Sequence, residues 1–211
     1  MDLPAYFNFQ PLLEFACLEA LKLTDDNWVK WKPEDHSDVN YSLLHNKDGE
    51  IGWRPFELIN PLIYGRCVGL VTQKENWSLI QSRISDFQNG IVECCSMPVV
   101  TLDNSKSTKE QILNWWKKVE QRSLELSLEY SHVRLTDVSN CYPSIYSHAI
   151  GWALHGRDFL KIKANRFNKS LFGNQLDVAI RSSREGQTNG IPQASLLSHL
   201  LAELILGYCD T

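Results

Sequence analysis

The 211-residue sequence lacks the features of several large classes of proteins. It has no apolar run long enough to cross a lipid bilayer, so we expect no membrane-spanning segment. Its first residues, Met1 to Pro4, lack the basic and apolar parts of a secretion signal, so we expect a cytoplasmic protein. Internal repeats and low-complexity tracts are also missing. Charged residues are 22% and hydrophobic residues 43% of the chain, which is typical of a folded protein rather than a disordered one.

Cysteine is present but is not arranged for metal binding or cross-linking. The six cysteines form no Cys-x-x-Cys pair, and they never cluster with histidine at ligand spacing. We therefore expect reduced and mostly buried thiols, and no zinc site. The positions are 17, 67, 94, 95, 141 and 209.

Charge is distributed unevenly along a chain whose net charge is −4. Residues 1–50 hold 4 Lys/Arg and 10 Asp/Glu, which gives −6, and the remaining 161 hold 17 and 15, which gives +2. Within residues 157–184, seven basic residues face two acidic ones, which gives +5. This block is either an ordinary solvated surface or one that follows nucleic-acid phosphates.

Hydrophobic periodicity predicts a helix-rich α+β protein. The Asp48-Gly49 pair between two apolar runs predicts a β-hairpin, and Val133 to Leu135 are expected to form a short strand. The helix over 108–130 is expected to bury Trp115, Trp116 and the leucines that follow. Helices are predicted over 9–23, 61–71, 77–88, 108–130, 145–154, 173–184 and 196–206.

A single acid, Asp137, follows the predicted strand Val133–Leu135 and precedes a polar break. A carboxylate at a strand end is held rigidly by the backbone. Mg²⁺ prefers oxygen ligands and is usually held by one or two carboxylates together with substrate phosphates. Asp137 is therefore a candidate magnesium ligand; the alternative is that it only caps the turn or the following helix.

Four stretches resemble bacterial reverse transcriptases. Residues 136–148, Thr-Asp-Val-Ser-Asn-Cys-Tyr-Pro-Ser-Ile-Tyr-Ser-His, resemble the first catalytic motif, and residues 149–156 resemble the helix that follows it in retron-like and abortive-infection enzymes. Residues 186–195, Gly-Gln-Thr-Asn-Gly-Ile-Pro-Gln-Ala-Ser, resemble the second motif. Lys47-Asp48-Gly49 with Arg54 and Pro61 resembles the fingers hairpin. The matches run in order and are closest to the defence-associated group.

This resemblance implies a fingers and partial palm architecture. The implied regions are an N-terminal helical extension over 1–40, a fingers-like region over 41–130 and a partial palm over 131–211. The implied activity is RNA-directed DNA synthesis from dNTPs on an RNA template with a DNA product or primer, in bacterial antiphage defence. A non-coding RNA or a protein is a further candidate partner. Catalysis would use two Mg²⁺ ions about 4 Å apart.

The resemblance also assigns roles to residues of the first motif and the hairpin. Asp137 would bridge the metal ions, and the carbonyl of Val138 would add a ligand. Tyr142 falls at the position of the steric gate, where a ring excludes the ribose 2′-hydroxyl; the alternative is a core aromatic residue. Lys47 and Arg54 would bind the triphosphate; the alternative is ordinary surface charge.

Residues of the second motif would shape the loop beside the template and nucleotide. Gln193 would lie against the incoming nucleotide, and Gly190 and Pro192 would let the loop backbone approach closely. Ser195 begins the next helix. Ala194 departs from the pattern, because glycine is usual there; a positive φ at alanine would cost roughly 1 kcal/mol. The basic block 157–184 could follow a template–primer duplex.

One expected motif is missing. The resemblance requires an aromatic residue and two aspartates after the helix that Ser195 begins, but only the single acid Asp210 is found. We therefore expect that these 211 residues alone do not polymerise and that they belong to a longer enzyme; the alternative is a natural product that is truncated or split. The alternative is a nucleic-acid-binding or scaffolding protein that keeps the fold without the chemistry. A third reading is a protein-interaction domain with accidental motif matches.

Overall fold

The computed structural model describes most of the chain. The described residues are 10–11, 14–15, 40–46, 52–88, 90, 92–96, 107–193 and 195–211. Residues 10, 11, 14 and 15 are helical, as the predicted helix over 9–23 requires, and they are exposed, Phe15 included; the rest of that helix lies outside the described residues. In the described ranges the protein is a helix-rich α+β structure with one small sheet.

A β-hairpin forms the sheet. Strand β1 (Tyr41–Asn46) pairs antiparallel with β2 (Trp53–Leu58), and Tyr41 lies opposite Leu58. Pro55 lies within β2 opposite Leu44, on a strand that has one partner in the described sheet. The Asn60 amide donates to the Asn40 side chain over 2.9 Å and so closes the base of the hairpin. The predicted hairpin is confirmed.

Most of the described helices follow the hairpin along the chain. The helix predicted over 61–71 has those bounds, with Pro61 in its first turn and the Asn60 side chain accepting from Leu62 N. The helix predicted over 145–154 begins three residues later, at His148, and Ile145 to Ser147 separate it from a single helical turn over Cys141–Ser144. The helices are α1 (Pro61–Val71), α2 (Lys74–Gln88), α3 (Ser107–Ser127), α4 (Cys141–Ser144), α5 (His148–His155), α6 (Arg157–Lys161), α7 (Lys163–Arg166), α8 (Phe172–Ser182) and α9 (Leu196–Cys209).

The hydrophobic core lies between α1, α2, α5, α8 and α9. Helices α5 and α8 pack backbone to backbone, because a Cβ built on Gly173 would lie 2.8 Å from the Gly151 Cα. This core joins helices from both sides of residue 130, and the proposed domain boundaries stay predictions. Its fully buried members include Ile63, Ile80, Ile150, Leu176, Ile180, Ile191, Leu201 and Leu204.

The predicted strand Val133–Leu135 is wrong. Residues 132–138 have no regular secondary structure, and the side chains of Val133 and Leu135 are 71% and 91% exposed. A strand is stable only when its backbone N–H and C=O groups pair with a neighbour. The described sheet contains only the hairpin, so no described strand pairs with this segment.

The predicted burial of helix α3 is also wrong. The helix itself forms, but Trp116 is 69% exposed, Leu124 58% and Leu128, just beyond its end, 91%. Trp115 is the partial exception, since its ring stacks on the His199 ring with centroids 4.8 Å apart. An apolar stripe predicts which face of a helix could be buried, but burial requires another element to cover it.

Within the described residues, no helix is both long enough and apolar enough to span a membrane.

Candidate functional site

The stretches that resemble the first and the second polymerase motif meet in the structure. The loop 186–193 lies against the turn 141–147 through backbone hydrogen bonds. Ile191 N donates to Tyr142 O over 3.0 Å, Gly190 N to Ile145 O over 2.7 Å, and Ser147 N to Thr188 O over 2.8 Å. Residues about 45 positions apart are therefore held in one rigid unit, with Tyr142 at its edge.

Gly190 occupies a position that only glycine suits. Its φ is +87°, and a Cβ there would lie 3.1 Å from the carbonyl oxygen of Pro143. The close backbone approach predicted for Gly190 thus exists, but its partner is the chain's own Pro143. Pro192 is fully buried behind the loop.

The second motif also contacts the hairpin. Glu57 N, on β2, donates to Gln193 O over 3.0 Å, and the Glu57 carboxylate forms an ion pair with Arg184. The Gln193 side chain is half-buried. The hairpin, the turn and the loop therefore share one corner of the molecule.

Several predicted contacts cannot be placed on this corner. Lys47 and Ala194 lie outside the described residues, as does the Arg54 side chain. Ser195 is described, and its side chain caps α9: its Oγ accepts from Ser198 N over 3.0 Å. That contact gives Ser195 a structural role at the helix start.

Asp137 lies on the exposed segment that leads into this corner. Its Oδ1 accepts a hydrogen bond from the adjacent amide of Val138 over 2.8 Å, and Val138 is 58% exposed. The bond joins adjacent residues, whereas a turn or helix cap reaches an amide two or three positions further on, so the capping alternative stays a prediction. The second carboxylate oxygen has no described hydrogen-bond partner and is open to solvent.

Electrostatics connect Asp137 with the turn that follows it. Burial raises the pKa of the Cys141 thiol, and the negative charges of Glu203 and Asp137 raise it further. Burial, with smaller contributions from Cys141 and Glu203, also raises the pKa of the Tyr142 phenol. Both groups therefore stay protonated at neutral pH.

The described residues supply only part of the coordination shell of one hard cation. The exposed Asp137 carboxylate offers the oxygen donors that Mg²⁺ prefers, and water and nucleotide phosphates can complete such a shell. In the ranges given above, no group of three or more His, Cys, Asp and Glu side chains is arranged to hold a metal ion. The described side chains thus offer Asp137 as a ligand for one ion and no ready-made cage for two.

Sequence reasoning missed a polar cluster beside Tyr142, formed by Cys94, Ser96, Tyr142, His199 and Glu203. The Ser96 carbonyl lies 3.0 Å from His199 Nε2 and can only accept, so Nε2 carries the proton. In the neutral ring Nδ1 is then an acceptor, and the Tyr142 hydroxyl donates to it over 3.4 Å. His199 therefore links the Tyr142 ring to the segment 92–96.

Glu203 completes the cluster one helical turn after His199. Its carboxylate accepts from Ser96 Oγ over 2.6 Å and from Cys94 Sγ over 3.1 Å. Burial, followed by the bond to Glu203, raises the pKa of Cys94. The only sequence signal was the i, i+4 spacing of His199 and Glu203 on an otherwise apolar helix, because Ser96 lies 103 residues away from His199.

The basic block 157–184 divides into two parts in the structure. Arg184 pairs with Glu57, and Arg181 Nε lies 3.3 Å from the buried carboxylate of Asp177. His148 Nδ1 also donates to Asp177 over 2.7 Å. These two arginines therefore stabilise the fold, and only the residues over 157–169 remain as an exposed basic surface.

A scan against protein-family models matched no family. A search of curated proteins found no match.

Proposed function

We propose that this chain is the fingers and partial palm of an RNA-directed DNA polymerase that adds dNTPs on an RNA template. The observation that supports the proposal is the direct packing of residues 186–193 on the turn 141–147. The two stretches that resemble polymerase motifs are thereby adjacent, and the open carboxylate of Asp137 lies just before them.

In this proposal Asp137 is the catalytic carboxylate and holds Mg²⁺, with Val138 O as a further ligand. When bound, the ion lowers the cost of developing charge on the attacking and leaving oxygens. Tyr142 excludes the ribose 2′-hydroxyl by overlap with its ring. Its hydroxyl donates to His199, so the ring is held from behind. Gln193, anchored through its carbonyl to β2, lies against the nucleotide.

We place this activity in the bacterial cytoplasm, in antiphage defence. The partners are dNTPs, an RNA template and a DNA product or primer, with a non-coding RNA or a protein as a further candidate. In this proposal Lys47 and Arg54 bind the triphosphate.

The test is template-dependent incorporation of dNTPs with Mg²⁺. The 211-residue chain and the complete product of its gene are compared, each with its Asp137→Asn form. We expect incorporation by the complete product and a loss of at least about 100-fold in Asp137→Asn, because the substitution removes the charge that holds the ion. Glu120→Gln, at an exposed acid on α3, is the control and should leave the rate unchanged. No incorporation on any template or primer, or equal rates for both variants, would refute the proposal.

A second candidate is a nucleic-acid-binding protein that keeps this fold without the chemistry. The observation that favours it is that no group of three or more His, Cys, Asp and Glu side chains among the described residues is arranged to hold a metal ion. This candidate predicts that Asp137→Asn leaves nucleic-acid binding and every other property unchanged.

A further inference from the structure

Helices α6 and α7 and the residues up to Lys169 form a compact exposed surface, here called the α6–α7 corner (residues 157–169). It carries five basic residues and one acid, 5 − 1 = +4, within a protein whose net charge is −4. Lys161 lies 3.6 Å from Asp158, and the other four cations form no ion pair with any described residue. The cations are Arg157, Lys161, Lys163, Arg166 and Lys169.

Aromatic rings lie among these charges and face solvent. Phe159 is 44% exposed and Phe167 69%. The Arg166 guanidinium lies 5.4 Å from the centre of the Phe167 ring, and that of Arg157 lies 5.4 Å from the Trp152 ring. Exposed rings among cations that form no ion pair with a described residue would suit a ligand that has both flat faces and negative charge.

The α6–α7 corner is also held rigidly from beneath. The Asn174 side chain on α8 donates to the carbonyls of Asn165 and Asn168 over 2.9 and 2.8 Å. Asn165 Nδ2 in turn donates to Phe159 O over 3.1 Å, and Leu160 anchors α6 in the protein. A rigid surface loses little entropy on binding.

We propose that the α6–α7 corner binds single-stranded nucleic acid by stacking bases on Phe159 and Phe167 while the surrounding cations contact phosphates. Every base has a flat face, so stacking of this kind combines with a positive surface in proteins that bind single strands without sequence preference. In a duplex the base faces are already stacked on one another, and only the phosphate attraction remains. The proposal rests on the proposed function only in its choice of nucleic acid as the ligand, and it refines the duplex-following surface expected from the sequence.

The geometry disfavours a membrane as the ligand. Helices α6 and α7 have five and four residues, and an interfacial amphipathic helix needs a longer apolar face. Binding to anionic vesicles is nevertheless measured as a competing outcome.

The test measures fluorescence anisotropy of a labelled oligouridylate of about 12 nucleotides and of a duplex of equal length, at low salt. We expect tighter binding of the single strand. Lys163→Glu with Arg166→Glu should weaken it about tenfold, and Phe167→Ala about fivefold or more. The matched controls lie on exposed α3: Lys117→Glu with Lys118→Glu reverses the same charge, and Trp116→Ala removes an exposed ring. Both controls should bind like the unmodified chain.

The proposal would be overturned by no binding to the single strand, by equal binding of single strand and duplex, or by equal losses of affinity in the α6–α7 corner and α3 variants. Tighter binding to phosphatidylserine vesicles than to oligouridylate would also overturn it. Asp137→Asn should leave oligouridylate binding intact. Failure of this inference therefore shows in the binding assay, whereas failure of the proposed function shows in the incorporation assay.

Discussion

Replacing Gly190 by alanine tests the packing that brings the two motif-like stretches together. The new Cβ would meet the Pro143 oxygen at 3.1 Å, the Pro143 Cα at 3.3 Å and Arg184 Nη2 at 3.2 Å. Two of these atoms belong to backbone, which cannot rotate away as a side chain can. The loop must therefore shift, and the bond from Gly190 N to Ile145 O, now 2.7 Å, must lengthen.

The cost can be divided into two contributions. A positive φ at alanine costs about 1–2 kcal/mol, and crowding in a well-packed region costs about 1–3 kcal/mol. Alanine also restricts the unfolded chain, which offsets about 0.4–1 kcal/mol. We expect Gly190→Ala to lower the free energy of unfolding by about 1–5 kcal/mol.

Gly186 supplies the matched control. Its φ is +74°, but nothing lies within 4 Å of a Cβ built there, so Gly186→Ala carries the conformational cost without the crowding. Both variants replace glycine by alanine, so the restriction of the unfolded chain cancels when their stabilities are compared. Urea unfolding followed by tryptophan fluorescence should show Gly190→Ala to be about 1–3 kcal/mol less stable than Gly186→Ala. Equal stability of the two variants would refute the packing described for the loop.

Two further predictions concern titratable side chains. Burial, with a smaller contribution from Arg83, lowers the pKa of His155, whose Nε2 accepts from Gly173 N over 3.0 Å. The unfolded chain then binds the extra proton first, so stability should fall as the pH drops below about 6.5, by at most about 1.4 kcal/mol per pH unit. The loss of stability on acidification should be smaller in His155→Gln. Thermal melts at pH 7.5 and 5.5 measure it in both proteins, and an equal drop in melting temperature would contradict the prediction. Burial also raises the pKa of Cys67 to about 12, so under native conditions at pH 8 iodoacetamide should alkylate exposed Cys209 and leave Cys67 unmodified; mass spectrometry showing equal labelling would contradict it.

Local patterns were sufficient for much of the secondary structure. The Asp-Gly pair between two apolar runs predicted the hairpin. Pro61 predicted the start of α1. Gly186, Gly190 and Pro192 predicted the loop over 186–193. These features depend on residues within a few positions of one another, where turn geometry and helix capping act directly.

Burial and pairing could not be predicted in the same way. Val133 to Leu135 have the composition of a strand, and α3 has the periodicity of a buried helix, yet both are exposed in the structure. Each needed a partner element, and the identity of a partner is not written in the local pattern. The same limit explains why the cluster around His199 was missed, since its contacts join residues up to 109 positions apart.

The sequence by itself determined which residues could form hairpin, helices and loop, and which side chains could carry charge or chemistry. Only the tertiary structure decided that Arg181 pairs with the buried Asp177 and Arg184 with the half-buried Glu57, while the cations of the α6–α7 corner stay exposed. It also decided that Gly190 meets Pro143 and that Tyr142 is held by His199. The physical reason is that helix and turn formation depends on neighbouring residues, whereas burial and charge pairing depend on which distant surfaces fold together.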